Sequence, residues 1–165
     1  MTYTAFCGHR LIAAGPLAEL LPRVKEWVAE NGEAGVLYFD DDTGQQVDFN
    51  LREPARVGPG RPKLGVTSRE VSLLPRHWEW LEQQPNGASA ALRRLVEQAR
   101  NSPGDRERRG REAAGRFMTA MAGNYPGYEE ATRALYAGDR ERMAATISEW
   151  PADVREYAER LAIFQ

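Results

Sequence analysis

The sequence predicts an α+β fold, on three observations. Residues 1–52 alternate short apolar-rich runs with turn residues, the pattern of strands around one helix. Residues 75–165 carry apolar side chains at three- and four-residue steps, the pattern of packed helices. Between them, residues 53–65 hold three prolines and three glycines and read as a linker. The expected organisation is a β-β-α-β-β unit at 1–52, the Pro/Gly linker at 53–65, a strand-helix-helix segment at 66–100 and a helical part at 101–165.

Each element has a local reason. Residues 2–6 form a first strand, Gly8 permits a turn, and residues 10–14 return antiparallel. Pro16 opens a helix because its fixed φ suits a first turn. Leu17, Leu20, Leu21, Val24, Trp27 and Val28 give that helix one apolar face, with Pro22 expected to kink or shorten it and Asn31-Gly32 to end it. Residues 36–40 and 46–51 form a hairpin around an Asp/Thr/Gly turn. Residues 67–74 read as a strand and residues 75–84 as a short helix bearing Trp78, Trp80 and Leu81. Pro85-Asn86-Gly87 breaks that helix, and Ser89 caps the next, at 90–100, with Leu92, Leu95, Val96 and Ala99 on one face. Residues 101–111 are dense in charge and read as a mobile connection into a helix. Beyond them come four apolar stripes. Ala113, Ala114, Phe117, Met118 and Met121 make one, and Tyr128, Ala131, Leu135 and Tyr136 the next, which Gly138 ends. Asp139 caps a helix carrying Met143, Ile147 and Trp150, and Pro151 starts a last one with Val154, Tyr157, Ala158 and Leu161 inward.

At 165 residues the chain can bury roughly 70% of its unfolded surface and needs no covalent staple. Cys7 is the only cysteine, which excludes an intrachain disulfide and suits a reducing compartment. The first ten residues lack the charged start and apolar run of a signal peptide. No apolar stretch approaches the roughly 20 residues of a membrane span. A cytoplasmic address with no membrane partner is expected.

The net charge of −2 hides an asymmetry. Residues 1–55 carry 4 basic and 9 acidic side chains, residues 56–116 carry 13 and 7, and residues 117–165 carry 5 and 8. A basic middle between acidic ends suits either a polyanion surface or charge balance inside one fold.

Several segments, YTAFCGHR at 3–10, FDDDTGQQVDFNL at 39–51, residues 71–96 and GRFMTAMAGNYPGYEEATRALYAGD within 115–150, resemble a bacterial family of uncharacterised proteins. This is the domain-of-unknown-function family numbered twenty-two thirty-nine. The likeness spans nearly the whole chain. It implies a bacterial, cytoplasmic setting and names no activity.

The middle segment carries a more specific resemblance. Strand, short helix, Gly-containing turn and Ser-capped second helix is the order of the ribbon-helix-helix DNA-binding fold. In that fold two chains pair strands into a ribbon in the major groove, and the second helix holds a phosphate at its N-terminus. Residues 66–73 would be the ribbon, with Ser89 at the start of the second helix and Arg69, Arg93 and Arg94 nearby. Alternation turns Ser68, Glu70 and Ser72 toward the groove, and the Glu70 carboxylate opposes phosphate there. Gly60-Arg61-Pro62-Lys63 resembles half of an AT-hook, so Arg61 and Lys63 form a candidate minor-groove arm. The competing reading is a strand-helix-helix element that packs inside the chain.

Other motifs have plainer explanations. Arg106, Arg108, Arg109, Arg111 and Arg116 interleave with Glu107 and Glu112 and read as a solvated helix face. Cys7 and His9 share a strand face, but no third group completes a nucleophilic set. One cysteine and two histidines are too few for a zinc site. Asp40-Asp41-Asp42-Thr43-Gly44 starts like a calcium loop, yet Gln45 stands where such a loop needs glycine and Leu51 where it needs glutamate. Trp78 and Trp80 lie two positions apart, so one is expected in the core and the other at its rim. His77 between core and surface carries no ligand signature.

Two functional classes follow. One is a homodimeric DNA-binding regulator using Arg61, Lys63, Arg69, Ser89, Arg93 and Arg94. The other is a protein-interaction or adaptor module without nucleic-acid binding. The first is preferred because it accounts for the order of the middle segment. No catalytic set, cofactor site or metal site is expected.

Overall fold

The β1 strand (Thr2–Cys7) sits inside a four-stranded antiparallel sheet, between β2 (Arg10–Pro16) and β3 (Val36–Asp40), with β4 (Gln46–Val47) beyond β3. The computed structural model describes residues 1–32, 35–49 and 69–163. Helix α1 (Leu17–Asn31) joins β2 to β3. The remaining helices are α2 (Pro75–Glu82), α3 (Gly87–Arg100), α4 (Pro103–Ala122), α5 (Tyr128–Ala137), α6 (Arg140–Thr146) and α7 (Ala152–Leu161). The fold class is α+β. The chain divides into two compact units, Met1–Ala55 with Arg106–Gln165, and Arg56–Asp105.

In the larger unit the sheet separates two apolar layers. Ala5, Ala13 and Tyr38 pack with Leu20, Leu21 and Val24 of α1. Phe6 and Phe39 pack with α4, α5, α6 and α7 through Phe117, Leu135, Met143 and Tyr157. Side chains alternate across a strand, so neighbours such as Ala5 and Phe6 serve opposite layers. Four rings form the centre of the second layer. Phe117 lies 4.5 Å from Tyr157 and 5.0 Å from Phe39, centroid to centroid, and Phe6 lies 5.4 Å from Tyr157. These are edge-on contacts, the arrangement that aligns a ring's positive edge with its neighbour's negative face.

The expected helix stripes hold in most places. Asp139 caps α6 by accepting from the Arg142 amide at 3.0 Å, and Gly138 ends α5 at φ 75°. Val154, Tyr157, Ala158 and Leu161 are buried on α7. Gly32 ends α1 with its amide on the Val28 carbonyl at 2.8 Å.

Several expectations are corrected. Pro22 does not shorten its helix: α1 runs through it from Leu17 to Asn31, because losing one backbone bond costs less than losing the buried face of Leu20, Leu21 and Val24. Strand β4 ends at Val47 rather than continuing, and Phe49 leaves the ladder to pack edge-on at 5.0 Å from Tyr3 and 5.3 Å from Tyr38. The charge-dense stretch at 101–111 is helical from Pro103. Ser102 Oγ accepts from the Asp105 amide at 3.3 Å, and i,i+4 pairs such as Arg108–Glu112 at 2.7 Å support the turns that follow. Tyr136 is exposed rather than part of the α5 stripe. Its hydroxyl reaches over Gly115, where a Cβ would come within 2.4 Å.

The hairpin turn is the tightest joint. Asp40 is buried, and its Oδ1 accepts from the amides of Asp42 and Thr43, both at 2.9 Å. Gly44, at φ 65°, donates to the Asp40 carbonyl at 2.8 Å. Its missing side chain lets the turn touch α4: a Cβ there would lie 2.0 Å from the Ala113 carbonyl oxygen. Arg116 Nη1 donates to the Thr43 carbonyl at 2.8 Å and closes the joint.

Beside it a polar group sits against the aromatic layer. Thr4 Oγ1 and the Tyr157 hydroxyl both donate to Asp41 Oδ1 at 2.7 Å. Arg160 Nη2 donates to Thr4 Oγ1 at 3.0 Å, and its guanidinium lies 4.6 Å from the centre of the Tyr157 ring. Burial first, then the hydrogen bond to Asp41 and that carboxylate's charge, push the Tyr157 phenol well above its ordinary range.

Two outcomes follow. Gly44→Ala is expected to cost about 2–4 kcal/mol in chemical denaturation, combining a left-handed φ with a backbone clash. Gly8→Ala, also at positive φ but with nothing near its Cβ, costs only about 1 kcal/mol. For Tyr157, a phenol pKa raised by folding means that the unfolded chain releases its proton first. The stability it contributes is therefore present below the ordinary tyrosine pKa of 10.0 and is lost as pH rises beyond it. Tyr157→Phe should cost about 1–2 kcal/mol at neutral pH and flatten the decline in stability above pH 10, read from denaturation midpoints across pH.

Candidate functional site

The described residues of the smaller unit are mainly two helices, α2 and α3, joined by a tight turn. Pro75 occupies the first turn of α2, where its missing amide hydrogen is no loss. The chain reverses through residues 83–86, with the Gly87 amide on the Gln84 carbonyl at 3.1 Å and Asn86 at φ 66°. Helix α3 then starts at Gly87, two residues before the expected cap at Ser89. A left-handed Asn followed by Gly enters the helix directly, so Ser89 falls inside the first turn, with its side chain exposed. No side chain caps α3, which leaves its first-turn amides without a side-chain acceptor.

Residues 69–74 form no strand in the single chain. A strand exists only where a neighbour completes its ladder, and among the described residues none lies beside it. Arg69 is exposed on this segment. Arg93 and Arg94 are exposed on α3. Arg93 Nε donates back to the Ser89 carbonyl at 3.2 Å, and Arg94 Nη2 reaches Gln84 Oε1 in the turn at 3.3 Å. Ser89, Arg93 and Arg94 thus lie on one helix, Ser89 in its first turn and the two arginines at its middle. Arg61 and Lys63 lie outside the described residues, as does the start of the expected ribbon at 66–68.

The apolar side chains depart most from expectation. Only Leu81 and Ala91 are buried in these helices. Val71 is 57% exposed, Leu74 49%, Trp80 48% and Val96 53%, and Leu95 is exposed as well. Trp78, at 36%, is at the surface too, so neither tryptophan is the core residue that their spacing predicts. Leu73, His77, Trp80, Leu81, Leu92 and Leu95 line a groove of about 250 Å³ with no polar surface in its walls. The signal for this face was available in the sequence: two helices of 8 and 14 residues cannot enclose a core unaided, however regular their periodicity.

A family model described as an uncharacterised protein conserved in bacteria, DUF2239, matches residues 2–57 and 52–162. The chain belongs to DUF2239. Its two matched segments overlap at the linker region and take in both units, so the α2–α3 surface is part of what DUF2239 describes. No curated protein and no solved structure matches this DUF2239 chain. Among the described residues, no group of three or more His, Cys, Asp or Glu is placed to hold a metal ion, and no helix is long and apolar enough to cross a membrane.

Proposed function

We propose that this chain is a DNA-binding regulator that acts as a homodimer, two copies meeting through the apolar face of α2 and α3. The observation that carries the reading is the exposure of that face. An element packed inside the chain would bury Val71, Leu74, Trp80, Leu95 and Val96; a half-interface leaves them open. In the ribbon-helix-helix arrangement the segment at 66–73 would find its ladder in the second copy, and the two helical hairpins would close over each other's apolar residues.

Charge supports the same partner. Arg56–Asp105 carries eight basic and five acidic side chains, net +3, while the other unit carries fourteen and nineteen, net −5. Arg69, Arg93 and Arg94 with the uncapped start of α3 offer guanidinium and amide donors to phosphate. Arg61 and Lys63 supply the minor-groove arm. The reading is of a cytoplasmic protein with no catalytic step and no cofactor. A second reading, a protein-interaction module, draws on the wholly apolar groove beside Trp80, which would equally receive a partner's apolar helix face.

Fluorescence anisotropy with random-sequence duplex DNA at about 50 and 200 mM salt, on protein of measured mass, separates the two. A dimer whose affinity falls by a factor of roughly 10³ across that range is expected. A monomer, or no binding at the lower salt, overturns the DNA reading and leaves the interaction module. Leu95→Glu should leave the single chain folded while converting dimer to monomer and abolishing DNA binding. Glu70→Gln, which removes a carboxylate facing phosphate, should tighten binding by about 2–10-fold.

A further inference from the structure

His77 stands inside the apolar stripe of the smaller unit. Trp80 and Leu81 follow it by three and four positions on α2, the spacing at which helical side chains meet, and Leu74 at the N-cap precedes it by three. With Leu73, Trp80, Leu81, Leu92 and Leu95 it lines the apolar groove, and of those six described residues His77 alone titrates. Its amide donates to the Leu74 carbonyl at 2.8 Å, while the imidazole makes no hydrogen bond or ion pair among the described residues. Charged neighbours lie off the stripe. Arg76 and Glu79, one and two positions away on α2, do not face His77. From α3, Leu92 and Leu95 face the groove, whereas Arg93 turns back to the Ser89 carbonyl and Arg94 to Gln84 Oε1.

In the single chain this placement costs little, because His77 is exposed and water reaches the ring. Closure against a second copy changes that. A two-fold interface uses the same patch on both chains, so each groove would be covered by the other's apolar residues and each His77 would enter with its counterpart. A neutral imidazole leaves water at the modest cost of one polar group. An imidazolium among leucines costs far more, and two of them repel. Histidine is the side chain whose ordinary pKa, about 6.5, puts this change of charge near neutral pH. Resting on the homodimer reading above, we propose that His77 is a proton switch in the α2–α3 face, whose protonation separates the two copies and so releases DNA. Association favours the unprotonated ring, so the dimer is at full strength above about pH 6.5 and weakens as pH falls below it.

The test is sedimentation equilibrium of the full chain at about pH 7.5 and about pH 5.5 at one ionic strength. It reads the dimer dissociation constant directly, apart from the change in DNA affinity that added positive charge brings. With both rings unprotonated in the dimer, that constant should rise about 10-fold per histidine, so about 100-fold, between the two pH values. The sequence holds two histidines, and the other, His9, is exposed between β1 and β2, so His9→Gln should leave the response intact. His77→Phe should stay dimeric at both pH values, and His77→Lys, charged throughout, should weaken the dimer at both. Equal dimer strength at the two pH values, or a response that survives His77→Phe, overturns the switch and leaves the homodimer standing. A monomer at the higher pH overturns both.

Discussion

Close approach of the hairpin turn to helix α4 is the constraint on which the larger unit depends. Where Gly44 meets Ala113 there is no room for a single added carbon, and Ala114 beside it is fully buried. The same helix is cut back again at Gly110, where a Cβ would lie 2.8 Å from the Ile163 amide nitrogen. Small residues let backbones touch, and touching backbones set where everything else can be. With the turn seated on α4, β3 brings Phe39 over Phe117, and Asp41 comes within reach of Tyr157. A bulkier helix face would lift the sheet and separate the four rings, since interiors at crystal-like density do not absorb an extra methyl.

Polar atoms so near an aromatic core need a reason. A carboxylate taken from water costs several kcal/mol unless its lone pairs are met, and a half-satisfied network is worse than none. Asp41 meets that condition on its core side, where Oδ1 takes two short hydrogen bonds and a guanidinium contact, and the arrangement holds three elements, β1, the turn and α7, in one register. What the network fixes is direction: Arg160 and Asp41 leave the core already aimed at the same surface. Among its described residues the smaller unit has no comparable device. Its helices are tied by backbone turns and by exposed side-chain bonds, and its apolar face is left open.

The sequence discloses elements better than their environments. Apolar spacing and capping residues locate α1, α5, α6 and α7 closely, since Gly32, Gly138, Asp139 and Pro151 each have a local backbone reason to stand where they do. The start of α4 was hidden because charged residues mask helical periodicity when the apolar face comes later, at Ala113 and Phe117. Ser89 misled because a left-handed Asn-Gly entry competes with a serine cap and leaves no cap for it to make. The open face of α2 and α3 has the same periodicity as a buried one; only the shortness of the unit tells them apart. The polar group around Asp41 was not legible at all. Thr4, Asp41, Tyr157 and Arg160 come from three distant stretches of chain, and no spacing rule relates them.

The larger unit is also discontinuous in the chain, and that has a consequence for its synthesis. Phe6 and Phe39 leave the ribosome early, while Tyr157, which completes their layer, is made near the end. At bacterial elongation rates the interval is roughly 8–30 s. Through it the nascent sheet can settle α1 on one face while the other stays uncovered, and the Arg56–Asp105 helices emerge complete in the meantime. The order of manufacture therefore runs against the order of contact, and a holding chaperone would meet this chain on the face of Phe6 and Phe39.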